Sequence, residues 1–194
     1  TLASSDVIFE ALGSDSVTIN FITRERGDLF LRRDGDRFSM DFPAYPMTKI
    51  DEIAEVAAAI PAIEYFESQD NMLFLTLDSE RAVVEFEPDM ILVDSLPYHE
   101  VIITAKGDDC DFASRMFAPK IGIPEDPVTG AIHCSLIPFW AERLGKNELF
   151  ARQVSKRGGE LFCTLDGDRV KIGGNAVLYL KGDIHVDTGK SLAA

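Results

Sequence analysis

The chain has 194 residues, enough for one large domain or two small ones. Hydrophobic residues make up 46% and charged residues 27%, a balance that predicts a packed globular core. A formal net charge of −14 argues against nucleic acid and anionic membranes as partners. No apolar run reaches the ~20 residues of a membrane-spanning helix, and no basic-then-apolar signal peptide opens the chain. Cys110, Cys134 and Cys163 are widely spaced and odd in number, with no C-x-x-C pair. That pattern predicts reduced thiols in a cytoplasmic protein and no zinc site. No glycine-lysine phosphate loop occurs, so nucleotide binding is disfavoured.

In chain order, residues 3–12 carry Val7, Ile8, Ala11 and Leu12 on one face before Gly13, which predicts a short helix. Val17, Ile19 and Phe21 alternate as in a strand. Residues 27–42 read as a hairpin turning at Asp34-Gly35. The stretch PAYP at 43–46 breaks the pattern as a linker or boundary would. Residues 49–60 have helical periodicity up to Pro61, and 72–77 and 82–88 read as strands. A short helix around 87–92 and a strand at 100–105 follow. Beyond Gly145 the chain is a series of strands joined by glycine and Asp-Gly turns. Irregular alternation of strands with a few helices favours α+β over a doubly wound parallel sheet.

Two hairpins resemble each other. RERGDLFLRRDGDRF (24–38) and SKRGGELFCTLDGDRV (155–170) share Arg-Gly, Leu-Phe and Asp-Gly-Asp-Arg in the same order. Asp34 and Asp166 are 132 residues apart, and the same offset carries Leu12-Gly13 onto Leu144-Gly145. The chain thus holds two copies of a unit of helix, strands and hairpin. The approach to the second helix, Glu125 to Gly130, has its counterpart before Thr1, so the chain is expected to start inside its first copy.

That approach carries the most chemistry. In GIPEDPVTGAIHCSLIPFW (122–140), Asp126-Pro127 is a helix-start signature, aspartate as N-cap and proline at the first helical position. A helix is predicted from Pro127 to about Leu144, apolar on nearly every face and stopped by Gly145. Pro138 inside it should kink it or free the carbonyl of Cys134. The helix start presents free N–H groups, and Gly130 allows close approach, which suits a substrate carboxylate. Asp126 can serve as a cap, or as an acceptor and proton carrier for a substrate amine or hydroxyl. His133, two turns from Asp126, reads either as a core histidine or as a site residue. The thiols are not placed for a two-cysteine racemase mechanism, and GDDCD (107–111) lacks calcium-loop spacing.

EDPVTGAIHCSLIPFWAERLGK resembles the signature of the phenazine-biosynthesis PhzF-like family, in which Glu-Asp-Pro-Val-Thr-Gly-Ser-Ala-His is usual. RGDLFLRRDGDRFSMDFPAYP, DFASRMFAP and RQVSKRGGELF also resemble family segments. The resemblance spans essentially the whole chain. It implies the diaminopimelate-epimerase-like α+β fold: two pseudo-symmetric halves, each a curved antiparallel-rich sheet around a central helix, with the active site between them. Residues 1–43 would then be the remainder of the first half, 44–180 the second half, and 181–194 a C-terminal strand and tail.

The resemblance further implies cofactor-independent proton transfer next to the carboxylate of a small acid, an isomerase or epimerase type of chemistry. Asp126 would handle the proton, and Thr129, Gly130, Ala131, His133 and Arg157 would contact substrate. In the family the principal proton carrier is a glutamate in an N-terminal segment, and the counterpart of that segment lies before Thr1. The 194 residues alone are therefore expected to be inactive. Ala131 stands where serine is usual and Ile132 where a small residue is usual. The alternative is a non-catalytic small-acid-binding or assembly protein that keeps the second-half pocket. A homodimer is expected because the incomplete first half leaves apolar surface uncovered.

Overall fold

The computed structural model describes residues 7–9, 18–22, 24, 28–35, 37–176 and 180–183. Among them run β1 (Thr18–Ile22), β2 (Asp28–Asp34), β3 (Arg37–Pro43), β4 (Thr48–Ile50), β5 (Glu64–Glu67) and β6 (Met72–Thr76). Then follow β7 (Glu100–Lys106), β8 (Phe112–Ala118), β9 (Ile123–Glu125), β10 (Glu148–Gln153), β11 (Gly159–Asp166) and β12 (Arg169–Gly174). The helices are α1 (Ala54–Ala57), α2 (Glu80–Glu85), α3 (Met90–Ser95) and α4 (Gly130–Leu144). Residues 7–9 are also helical; the rest of the helix predicted over 3–12 lies outside the described residues.

One sheet contains all these strands, in the order β1-β2-β3-β12-β11-β10-β8-β7-β6-β5-β4, with β9 beside β8. Pairing is antiparallel except at β10–β8 and β6–β7. This is the expected α+β arrangement. α4 packs against β10, β11 and β12 and centres the larger core with Phe112, Met116, Val170 and Ile172. A second core, with Val83, Val93, Val101 and Ile103, lies on the opposite face. Alternation along β7 divides its residues between the two, Ile102 to the first and Val101 and Ile103 to the second.

The repeat is visible in the sheet. Asp34 pairs with Arg37 across one turn and Asp166 with Arg169 across the other, with Gly35 and Gly167 at φ 60° and 62°. Both turns require left-handed backbone, which is why the Asp-Gly signature predicted them. Phe9, Leu31, Phe38 and Met40 form a buried cluster. Their counterparts at the 132-residue offset, Ala141, Cys163, Val170 and Ile172, all lie in the α4 core. Among the described residues the copies differ in one pairing register. Leu29 pairs with Phe21, whereas Leu161 pairs with Ala151. The turns themselves are equally long, with five residues between Ile22 and Asp28 and five between Gln153 and Gly159, so the pairing register differs without an insertion.

Three local expectations are corrected. The helix predicted over 49–60 is confined to Ala54–Ala57, because Lys49 and Ile50 pair with Phe66 and Tyr65 at the sheet edge. Strand pairing there outweighs a helical period that still buries Val56 and Ile60. The strand predicted over 82–88 is mostly α2. Ser79 caps it by accepting from the Ala82 amide at 3.2 Å, and Arg81 pairs with Glu85 one turn on, at 2.9 Å. The helix start predicted at Asp126-Pro127 falls three residues later, with Thr129 in the N-cap position. The short helix expected at 87–92 forms at Met90–Ser95, capped by Asp89.

Pro138 acts as its chemistry requires. The carbonyl of Cys134 that it frees accepts the Tyr45 amide at 2.9 Å. The helix interior is thereby tied to the PAYP stretch after β3. Further along α4, Trp140 lies parallel to Phe112 at 5.9 Å and donates its indole N–H to Thr104 Oγ1 at 3.0 Å.

Candidate functional site

The start of α4 is reached by a short extended segment, Asp126 to Thr129. Thr129 sits at φ −111°, ψ 107° and makes no capping hydrogen bond to the helix. The amides of Gly130, Ala131 and Ile132 therefore have no intrahelical carbonyl to bond. Gly130 is half-buried, Ala131 exposed and Ile132 buried. A methyl group on Gly130 would approach nothing closer than Met40 Cε at 3.9 Å. A helix start with these amides unbonded favours negative charge.

Asp126 lies beside this helix end, half-buried, with Oδ2 accepting from the Thr129 hydroxyl at 2.5 Å. The aspartate faces a residue of the segment leading into the helix rather than capping the helix. Glu125, its neighbour, has a different task. Arg115 Nε and Nη2 donate to its two oxygens at 2.7 and 3.1 Å. Arg115 Nη1 also donates to the carbonyls of Val83 and Phe86 at 3.2 and 2.6 Å, at the end of α2. The first acid of the pair is consumed by a bidentate bridge that anchors β9; the second is left for the helix mouth.

The signal that sequence reading missed is Gln153, the last residue of β10, which is fully buried. Its Oε1 accepts the Thr129 amide at 2.7 Å, and its Nε2 donates to the Asp126 carbonyl at 2.8 Å and to Thr129 Oγ1 at 3.2 Å. Beside it, Ser155 donates to the Pro127 carbonyl at 2.8 Å and accepts the Gly158 amide at 3.1 Å. A clue was present: Leu149, Ala151 and Gln153 alternate inward along β10, so a polar residue occupies a core-facing position. Gly159 completes the fit, since a β-carbon there would fall 2.3 Å from Val128 Cγ2.

Glu100 is a second carboxyl that the sequence did not flag. It opens β7 on the face shared with Ile102 and Thr104, and its Oε2 is buried without a hydrogen-bond partner. Burial raises its pKa above the usual glutamate range. The charges of Asp126 and Asp70 push the same way, and His99 opposes them.

His133 is completely buried, its ring 5.8 Å from that of Phe112. Its Nδ1 lies 2.8 Å from the Thr129 carbonyl, which can only accept, so Nδ1 carries the proton and Nε2 is a bare acceptor. Burial lowers its pKa to about 4, so the ring is neutral. Arg157 is exposed and lines, with Glu125, Pro127, Ser155 and Lys156, a depression of about 410 Å³. Asp126, Thr129, Gly130 and Ala131 are thus gathered at one helix end, with Arg157 on the adjoining turn and His133 behind them in the core. Cys110, Cys134 and Cys163 are not joined in disulfides, and burial pushes Cys163 up to about 12. Among the described residues no cluster of three or more His, Cys, Asp or Glu is placed to hold a metal ion. No described helix is long and apolar enough to cross a membrane.

The phenazine biosynthesis-like protein family (PhzC-PhzF) matches residues 1–182. A Pseudomonas aeruginosa protein named an uncharacterized isomerase is 45% identical over 188 residues, which span 96% of this chain and 71% of that protein. A crystal structure of a PhzF-family phenazine biosynthesis protein from Enterococcus faecalis superposes with a TM-score of 0.90 at 37% identity, covering 95% of this chain and 71% of that one. A predicted epimerase from Pseudomonas aeruginosa shares the fold at a TM-score of 0.68 and 14% identity, over 96% of this chain and 73% of that one. The large mixed sheet with its central helix is accordingly the diaminopimelate-epimerase-like α+β fold. The match over residues 1–182 and the close relatives together make the chain a member of the phenazine biosynthesis-like family.

Proposed function

We propose that this chain supplies one side of an isomerase-type site that moves a proton next to the carboxylate of a small acid, without a cofactor. The observation that carries the reading is Asp126 held beside the uncapped start of α4. The amides of Gly130 and Ala131 bind the substrate carboxylate. Charge that develops on that carboxylate as the neighbouring C–H bond breaks is stabilised by the same amides and by the helix dipole. Asp126 holds a substrate amine or hydroxyl, or carries the proton. Arg157 contacts the far end of the substrate. The isomerase name of the Pseudomonas aeruginosa relative supports this chemistry.

By the same proposal, residues 1–43 belong to the first half of the cleft and 44–180 to the second. The principal glutamate of family members has no counterpart within residues 1–194, so these residues alone bind a small acid without turning it over. Exposed Ile22 and Phe30 at the β1–β2 edge support assembly as a homodimer, which sedimentation tests.

Hydrogen exchange in D₂O tests the chemistry. The 194 residues mixed with 2-amino or 2-hydroxy acids should exchange no α-hydrogen above background. A family-type N-terminal segment fused ahead of Thr1 should restore exchange, and Asp126→Asn in that fusion should lower it by about 10²–10⁴-fold. A fusion that stays inert with every acid, or an Asp126→Asn fusion as fast as its parent, contradicts the proposal.

A further inference from the structure

We propose that Gln153 is a positioning residue of this site, the buried side chain that holds Thr129 against the Asp126 carboxylate and so fixes the geometry of the α4 start. The inference deepens the carboxylate-site reading and rests on it for its binding arm.

The hydrogen-bond directions are forced. The Thr129 amide can only donate, so the atom 2.7 Å from it is Gln153 Oε1. Nε2 then faces the Asp126 carbonyl at 2.8 Å and Thr129 Oγ1 at 3.2 Å and donates to both. With Nε2 donating to Thr129 Oγ1, the single hydroxyl proton is free to point to Asp126 Oδ2, 2.5 Å away. The carboxylate can only accept, so the Thr129 hydroxyl donates to it, and Gln153 holds that hydroxyl, the Thr129 amide and the Asp126 carbonyl in the position from which it does so. The Gln153 side chain takes up the Thr129 N–H, so that donor does not compete for an anion bound at the next residues. All three bonds are made by a side chain with no exposure, so water cannot substitute for it.

Gln153 is the last residue of β10, directly before the turn that carries Ser155. Ser155 in the same turn anchors Pro127 and hydrogen-bonds to neither Asp126 nor Thr129. It is the natural control.

The test uses the 194-residue protein in three forms: wild type, Gln153→Leu and Ser155→Ala. Lactate is the probe, with backbone amide resonances and the Asp126 side-chain carboxyl ¹³C resonance as readouts. Without ligand, Gln153→Leu should move the Asp126 carboxyl resonance and lower protection of the Thr129 amide against exchange at least 10-fold. Ser155→Ala should change neither. With lactate, Gln153→Leu should weaken binding at Gly130 and Ala131 at least 10-fold, and Ser155→Ala less than 3-fold.

Unchanged Asp126 and Thr129 signals in a folded Gln153→Leu protein overturn the proposal, as do equal effects of the two substitutions. Should Gln153→Leu fail to fold, Gln153→Glu takes its place, since its ionised side chain can accept the Thr129 amide but donate to neither oxygen; the same carboxyl shift is expected and its absence is contradictory. Wild type that ignores lactate while the ligand-free signals respond supports the positioning role and refutes only the carboxylate site.

Discussion

Met40 lies directly opposite Ile172 in the β3–β12 ladder, and the two are separated by the 132 residues of the internal repeat. An antiparallel pair in which each residue is the other's counterpart places a local two-fold axis through it. The two hairpins are therefore halves of one symmetric six-stranded segment, β1-β2-β3-β12-β11-β10. Met40 Cε, at the axis, is the atom nearest to space beside Gly130. The start of α4 thus lies close to the symmetry axis. Ile172 is 2% exposed, so Ile172→Ala should cost about 3 kcal/mol in urea unfolding, and Ile172→Val about 1 kcal/mol. Near-zero losses would mean the seam between the copies is not packed as described.

Close approach at Gly159 gives a two-residue prediction. Gly159→Ala drives a β-carbon into Val128 and should destabilise by about 1–3 kcal/mol while displacing the segment before α4. Val128→Ala in the same chain should recover much of that loss, by thermal or urea unfolding. Additive losses in the double variant would place the strain elsewhere.

His133 gives a pH dependence. Its folded-state pKa is about 4, below the ordinary 6.5, because burial disfavours the charged ring. Below pH 6.5 the unfolded chain takes up a proton that the folded chain does not. Stability is therefore fully present above that pH and is lost as pH falls toward 4, by at most about 3 kcal/mol. Unfolding midpoints measured from pH 7 to 4.5 should fall in wild type and fall less in His133→Gln. Parallel curves would contradict the neutral buried ring.

Glu100 should act with the opposite sign. Burial, then the charges of Asp126 and Asp70, hold its folded pKa above the ordinary value, so the fold favours the protonated form. Its contribution is present below the usual glutamate range and is lost as pH rises through the folded pKa. Glu100→Gln should therefore raise the melting temperature at pH 8 and give a smaller gain at pH 4. Asp126→Asn should shrink that gain at pH 8, because one of the repelling charges is gone.

The two hairpins were legible because an Asp-Gly turn dictates its own backbone, and its spacing repeats after 132 residues. The helix behind the acids was legible from length and apolar content, and Pro138 from its missing N–H. Its first residue was not, because Asp126-Pro127 has the local chemistry of a helix start. The segment before Gly130 is instead bonded by Gln153, 27 residues away from Asp126 in sequence and brought there by parallel pairing of β10 with β8. Lys49-Ile50 was misread for the same reason, since its partner strand decides its conformation. Glu100 comes near Asp126 only once β7 has paired with β8. Local rules reached each element; the contacts between elements assembled the site.

The most direct measurement is a lactate titration of the isotope-labelled chain followed at the Gly130 and Ala131 amides. Saturable shifts should be concentrated there and on the neighbouring Asp126–Thr129 segment, and added acetate should weaken them as a competing carboxylate. No shift at those two amides at saturating lactate, or shifts confined to other parts of the sheet, would contradict a carboxylate site at the start of α4.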